Sequence, residues 1–287
     1  ARFLFSFAKE KKEGHRIAKK AEDHWLPDVL ARYAGKRANV EVTASDVAIF
    51  QYTGGTTGIP KAAMSTHGAL VANTLQCQAW LARADVQESF LAAIPLFHVF
   101  GMVAVMSFAV SLHAAMIMVP NARAIADVVE CIHTYRPTIF MGVPALFNAI
   151  NNHPAVAAGK YDLSSIYACI SGSAPLPPAT KRRFEELSGG VIIEGFGMSE
   201  APTASHANPV RGENRTGSIG LPFPDMAMRI VDLDEGIEEV PVGEVGELVM
   251  RGPQLMKGYY GMPTETANAL REGPDGEKWL YTGDIAR

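Results

Sequence analysis

From Val42 onward, short apolar runs alternate with stretches of helical length, and this alternation constrains the fold more than any other feature. Apolar runs at residues 47–50, 90–94, 138–141, 166–170 and 191–193 are separated by predicted helices over 66–81, 121–135, 144–151 and 178–187. A strand that is apolar throughout has both faces buried, and parallel neighbours of that kind are joined by crossover helices. The pattern predicts βαβ units, with a mostly parallel sheet flanked by helices over residues 42–210. After about Arg211 the texture changes. Gly217, Gly220, Pro222, Pro224, Gly243, Gly246, Gly252 and Pro253 punctuate short strands such as 228–231 and 247–250, which predicts a β-rich subdomain over 211–287.

Residues 1–41 are of another kind. Lysine, arginine and glutamate crowd residues 9–37, with Ile17, Trp25, Leu26, Val29 and Leu30 as apolar anchors. We read a helical linker segment with a solvated face; a basic surface making peripheral contact with anionic lipid is the second reading. The opening run Phe3-Leu4-Phe5-Ser6-Phe7 is short, and its lysines follow the apolar patch, so it does not read as a secretory signal. Residues 99–119 carry no charge, close to the roughly 20 apolar residues of a membrane span. Ser111 and His113 interrupt that stretch, and residues 115–121 read as a buried strand ending in a turn. The expectation is therefore a helix at 100–112 followed by a buried strand.

The net charge of −4 supplies no field for nucleic acid. Cys77, Cys131 and Cys169 are widely spaced and lack a CxxC pair, so they are expected as reduced thiols in the cytoplasm, without metal or disulfide. The chain starts at Ala1 in mid-phrase and stops at Arg287 just after a motif, so both ends read as truncated.

The strongest chemical signal is Gln51-Tyr52-Thr53-Gly54-Gly55-Thr56-Thr57-Gly58-Ile59-Pro60-Lys61, directly after an apolar strand. Glycines let successive backbone N–H groups approach phosphate oxygens, the threonines add hydroxyl donors, and Lys61 adds a positive charge. It is not a Walker A loop, because Ile59 and Pro60 separate Gly58 from Lys61, and Ala62 follows where Ser or Thr would stand. Read alone, it is a phosphate loop or a glycine-rich turn.

The segment resembles the phosphate loop of the acyl-adenylate-forming (AMP-binding) superfamily, and further segments resemble that family's motifs in the same order. Pro95-Leu96-Phe97-His98-Val99-Phe100-Gly101 is similar to the segment at the mouth of the acyl pocket. Ser171-Gly172-Ser173-Ala174-Pro175 resembles the loop that borders adenine, and Glu194-Gly195-Phe196-Gly197-Met198-Ser199-Glu200 resembles the aromatic-Gly-x-Thr-Glu signature. Gly246-Glu247-Leu248 with Gly252-Pro253, and then Tyr281-Thr282-Gly283-Asp284, complete the series. Three departures are mild: Ala62 for glycine, Phe196 for the frequent tyrosine, and Ser199 for threonine.

The resemblance implies the family's large N-terminal domain, with the small C-terminal lid and its lysine lying beyond Arg287. It implies ATP, Mg²⁺ and coenzyme A as the small molecules handled. Adenine would be bordered by Gly172, Ser173, Ala174, Pro175, Gly195, Phe196, Gly197 and Met198, with Glu194 as an acceptor for its amino group. Asp284 would take the ribose hydroxyls. The phosphates would meet Thr53, Gly54, Gly55, Thr56, Thr57, Gly58, Lys61 and Ser199, and Mg²⁺ would meet Glu200 with Thr53. His98 would line the junction of adenylate with acyl or thiol; alone it reads as an ordinary loop histidine.

No acidic residue occurs between Glu88 and Asp127, where amino-acid-activating relatives place an aspartate, so an α-amino acid substrate is not expected. The helix at 100–112 reads equally as a core helix or as the wall of an apolar cavity. The motif wording, including Thr216-Gly217-Ser218-Ile219-Gly220-Leu221-Pro222, most resembles bacterial fatty-acid–CoA ligases, with aryl-acid ligases as the alternative. A nucleotide-binding fragment without turnover is the competing class; Lys61, Glu200 and Asp284, which a decayed site would lose, are all present.

Overall fold

The computed structural model describes residues 20–53, 60–273 and 275–287. The chain divides into two compact units, residues 1–42 and 43–287. The first contains α1 (Leu26–Arg32), which Pro27 opens and which carries Asp28 in its first turn and Arg32 in its last. That charge order complements the helix dipole.

The second unit begins with an antiparallel pair, β1 (Val47–Thr53) and β2 (Lys61–Thr66), in which Thr53 faces Lys61. The apolar run at 47–50 therefore forms a separate ribbon and does not enter the large sheet. Thr66 caps α2 (His67–Leu81), its side chain accepting from the Ala69 N–H at 3.1 Å. Next come β3 (Ser89–Ala92), a helix that is α-helical at Val99–Gly101, π-helical at Met102–Ser107 and α-helical again at Phe108–Ser111, and β4 (Ala115–Met118). The core continues through α3 (Ile125–Tyr135), β5 (Ile139–Gly142), α4 (Pro144–Asn151), α5 (Pro154–Ala157), β6 (Ala168–Ser171), α6 (Pro178–Ser188) and β7 (Val191–Met198).

These strands form a sheet of order β4-β3-β5-β6-β7, all parallel, extended antiparallel by β8 (Ala201–Ala207) and β9 (Leu221–Pro222). Alternate residues feed two cores, as the pleat requires. Phe90, Ile139, Met141, Ile170 and Ile193 pack with Cys77 and Leu81 of α2 and with Val105 and Phe108. Leu91, Phe140, Cys169 and Ile192 pack with Val128, Ile132, Phe147, Ile150 and Phe184 from α3, α4 and α6. Burial pushes the Cys77 thiol up to about 12 and raises Cys169 too, which keeps both as inert core groups.

A second sheet, order β10-β11-β13-β12, is antiparallel throughout: β10 (Ala227–Val231), β11 (Gly246–Arg251), β12 (Leu270–Glu272) and β13 (Lys278–Ala286). The parallel α/β sheet and the β-rich part expected from the sequence are both present. Between β11 and β12 lies α7 (Pro263–Ala269).

Two further expectations are corrected. The strand after the π-helix is not buried: β4 is the sheet edge, with Ala115 and Met118 exposed, since one side has no partner strand among the described residues. The helix predicted to start at 121 begins at Ile125, after a turn closed by Ala124 N–H to the Asn121 carbonyl. Among the described residues no helix is long and apolar enough to cross a membrane.

Candidate active site

The order β4-β3-β5-β6-β7 reverses between β3 and β5, and open parallel sheets bind ligands outside the carboxyl ends of strands at such a reversal. The segments leaving β3, β6 and β7 there carry His98, Gly172, Ser173, Ala174, Pro175, Ser199 and Glu200. An apolar cavity of about 150 Å³ lies over the reversal, lined by Ile94, Phe97, His98, Phe100, Gly101, Val143 and Ser173. Only the first turn of the long helix reaches it. Val103, Ala104, Val105, Phe108 and Ala109 are buried, so most of that helix is core. Gly101 is required where it stands, because a Cβ there would lie 2.2 Å from the Pro95 carbonyl oxygen.

His98 is exposed, and its Nδ1 accepts from the Phe100 N–H at 3.2 Å, capping the helix. When neutral, it therefore keeps its proton on Nε2. His98 also borders a cavity of about 160 Å³ with Gly172, Ser173, Phe196, Met198, Ser199 and Thr203. The sequence motifs at 95–101, 171–175 and 194–200 thus meet in one place. Ser173 sits at φ +68°, a left-handed conformation in the bend that follows β6.

The next cavity, about 470 Å³, falls in the size range of small-molecule sites. Ser173, Ala174 and Pro175 form one wall, Gly195, Phe196 and Gly197 another, and Asp284 the far side, with Gly217, Ser218 and Ile219 between. Glu194 pins the walls together: its carboxylate accepts from the Gly217 N–H at 2.6 Å and from the Leu176 N–H at 3.4 Å. Phe196 borders three adjoining cavities, so its ring is the shared surface of the cleft.

Asp284 reaches the cleft through a bulge. Val249 pairs with Tyr281 and Glu247 with Ile285, so residues 282–284 loop out of β13 opposite a single residue, Leu248, of β11. Gly283 turns there at φ +76°, and its N–H donates to Glu247 Oε1 at 2.8 Å. Thr282 Oγ1 ties the bulge to the Leu248 carbonyl at 2.7 Å. Desolvation by its surroundings, then the negative charge of Glu247, raises the Asp284 carboxyl above its ordinary range.

Behind the cleft, Phe196 pairs with His206 of β8, whose ring lies 6.1 Å away edge-on. His206 is fully buried; Ser205 Oγ lies 2.9 Å from Nδ1 and Met228 Sδ 3.3 Å from Nε2. Burial lowers its pKa to about 4. The folded state thus prefers the neutral ring. The stability this gives is complete above the unfolded value of about 6.5 and is lost as pH falls toward 4. Urea unfolding at pH 7 and pH 4.5 should show the wild type losing up to about 3 kcal/mol more than His206→Gln, which cannot titrate in this range. Equal losses in the two proteins would remove His206 as the cause.

At the other end, the turn between β7 and β8 presents Ser199 and Glu200. Glu200 is only 8% exposed, and its Oε1 accepts from the Tyr259 O–H at 2.7 Å. A carboxylate this deep needs such a partner. Burial, then the hydrogen bond to Glu200, holds the Tyr259 phenol well above its ordinary range, so it remains a donor. The same ring carries Lys61 Nζ over its face, 5.1 Å from the centroid. Backbone pairing sets this register: Tyr260 N–H to the Ala62 carbonyl at 2.9 Å and Met64 N–H to the Gly258 carbonyl at 2.9 Å. On α2, Asn73 supports the Glu200 turn, its Oδ1 accepting from the Thr203 N–H at 2.6 Å and its Nδ2 donating to the Ala204 carbonyl at 2.7 Å.

Gly54, Gly55, Thr56, Thr57 and Gly58 lie outside the described residues; Thr53 and Lys61 are the flanks seen, opposite each other across the ribbon. Two features escaped sequence reading. Tyr259 stands in Lys257-Gly258-Tyr259-Tyr260, whose glycine before an aromatic was the only available signal. The 217–219 segment was marked for its wording and not as cleft wall. Among the described residues no cluster of three metal-binding side chains occurs. A hard carboxylate and a threonine hydroxyl suit Mg²⁺, which keeps several waters and takes few protein ligands.

The AMP-binding enzyme family matches residues 4–260. The chain belongs to this family. It is 43% identical over 243 residues to a long-chain-fatty-acid–CoA ligase of Bacillus subtilis, covering 84% of this chain and 41% of that protein. A feruloyl-CoA synthase of Amycolatopsis is 35% identical over 86% of this chain and 48% of the relative. The ATP-bound structure of MatB from Rhodopseudomonas palustris superposes with a TM-score of 0.80 at 29% identity, covering 91% of this chain and 49% of that one. The chain thus spans about half the length of the relatives it matches.

Proposed function

We propose that this chain is the nucleotide- and acyl-binding part of an ATP-dependent fatty-acid–CoA ligase. The substrate carboxylate attacks the α-phosphorus of ATP, pyrophosphate leaves, and the thiol of coenzyme A then displaces AMP from the acyl-adenylate. One observation carries the reading. A single cleft has an open aromatic ring and a bulge-aimed carboxylate at one end, Phe196 and Asp284, while the turn beyond Phe196 presents Ser199 and a buried carboxylate linked through Tyr259 to a lysine.

Phe196 offers a flat face for adenine and Asp284 two acceptors for ribose hydroxyls. Lys61, with Ser199 and the Thr56 and Thr57 hydroxyls of the phosphate loop, stabilises the charge that builds on the pentacovalent phosphorus. Glu200, with Thr53, would hold Mg²⁺, which when bound neutralises phosphate charge. The apolar cavity between Ile94, Phe100 and Val143 lies where the acyl group would enter. The relatives favour an alkyl acid, and burial worth about 0.8 kcal/mol per methylene lets such a pocket sort chain lengths. Three free thiols, Cys77, Cys131 and Cys169, suit the reducing cytoplasm.

Calorimetry should detect binding of both Mg·ATP and AMP, and no heat at millimolar nucleotide would overturn the reading. In the same cell, fatty-acyl-adenylate analogues should bind more tightly as the chain lengthens; tighter binding of an aryl analogue would move the substrate class to aryl acids.

A further inference from the structure

Tyr259 touches two charged groups that come from separate parts of the chain. Its O–H donates to Glu200 at 2.7 Å, and its ring face lies under the Lys61 ammonium at 5.1 Å from the centroid. The side chain is 7% exposed and packs with Ala63, Ala201, Met250 and Leu280. Its backbone is fixed as well: the Tyr259 N–H donates to Thr266 Oγ1 at 2.8 Å, and residues 257–260 run as an added strand along β2.

We propose that Tyr259 is a positioning residue for the phosphate end of the site: its hydroxyl sets the rotamer of Glu200 for the metal, and its ring sets the height of Lys61 for the phosphates. The proposal rests on the reading above. A carboxylate that ligates a cation through one oxygen gains from having the other anchored, since orientation is then established before the ion arrives. Glu200 has that arrangement: Oε1 is held, and among the described residues no hydrogen bond occupies Oε2. Lys61 lies at the start of β2 beside the phosphate loop, where a long side chain would otherwise sample many rotamers. The aromatic face limits that freedom without neutralising the charge, which an acidic partner would do.

The test separates the hydroxyl from the ring. In the intact protein, Tyr259→Phe should raise the Mn²⁺ concentration that half-saturates the complex with a non-hydrolysable ATP analogue by about tenfold. Metal-free affinity for AMP should stay within twofold. Tyr259→Leu removes the ring as well, and should weaken metal-free binding of the analogue by about fivefold relative to Tyr259→Phe. Electron paramagnetic resonance of bound Mn²⁺ reads the first effect directly. Starting from Glu200→Gln, adding Tyr259→Phe should change Mn²⁺ binding little, because the two residues act on one ion. Normal metal–nucleotide binding by the wild type with equal Mn²⁺ affinity in Tyr259→Phe overturns the positioning role and leaves the function standing. An additive effect of Tyr259→Phe on Glu200→Gln also overturns it, since a purely structural residue behaves that way. Absence of metal–nucleotide binding in the wild type overturns both.

Discussion

Glu200→Gln is expected to slow acyl-adenylate formation by about 10²–10³-fold while leaving AMP affinity within about threefold. The substitution is nearly isosteric, and the amide oxygen still accepts from the Tyr259 O–H that now reaches Oε1 at 2.7 Å. The buried turn therefore keeps its hydrogen bond and loses only the negative charge. If that charge serves a cation on the phosphates, its value is greatest when charge shifts toward the leaving pyrophosphate, and small for AMP, which lacks the β- and γ-phosphates. Pyrophosphate–ATP exchange in the intact protein measures the first quantity and calorimetry with AMP the second. Equal losses in both would assign Glu200 to nucleotide binding or to the fold.

Much of the fold was legible because its strands are apolar on both faces. The helix predicted at 144–151 is α4 (Pro144–Asn151), and the one at 178–187 is α6 (Pro178–Ser188), each opened by a proline that needs no N–H partner there. The failures share a cause: the deciding partner was far away in sequence. β8 reads Ala-Pro-Thr-Ala-Ser-His-Ala, without one large apolar residue, yet every position is buried. Its small side chains let α2 approach until Asn73 bonds the strand backbone directly. β2 was missed because its register comes from β1 on one side and residues 257–260 on the other.

The candidate site divides in the same way. Motifs at strand ends found each other through topology: the segments after β3, β6 and β7 meet because parallel strands deliver their loops to one edge. Ser173 and Phe196 come together on that basis, whereas Asp284 reaches the same cavity from β13 of the antiparallel sheet. Tyr259 was not legible, since its partners Glu200 and Lys61 lie 59 and 198 residues before it in the chain. Glu194 is partly different from its expected role. Two backbone N–H groups occupy its carboxylate, so it clasps the cleft walls whether or not it also meets a base.

Asp284→Ala should weaken AMP and ATP by the same factor, about 10²–10⁴-fold, with little change in the ratio of the two affinities. Among the described residues the carboxylate is the one acidic group lining the wide end of the cleft opposite Phe196, and the bulge holds it there before any ligand arrives. Two hydrogen bonds from ribose hydroxyls to an ionised acceptor are worth about 1.5–3 kcal/mol each, and both nucleotides present the same ribose. The bulge itself should survive, because the Gly283 N–H, the Thr282 hydroxyl and the Asp284 N–H keep their partners without the side chain. A pH dependence follows from the raised pKa of Asp284. Hydroxyl donors need the ionised form, so affinity is complete above the raised pKa and falls as the pH drops through it, at a higher pH than for an ordinary aspartate. Glu247→Gln removes the neighbouring negative charge and leaves an acceptor for the Gly283 N–H, so it should move that loss to lower pH. Calorimetry with AMP across the acid range, on the wild type, Asp284→Ala and Glu247→Gln, measures all three effects. A loss confined to ATP would place Asp284 at the phosphates instead, and a pH profile unmoved by Glu247→Gln would leave desolvation as the only cause of the raised pKa.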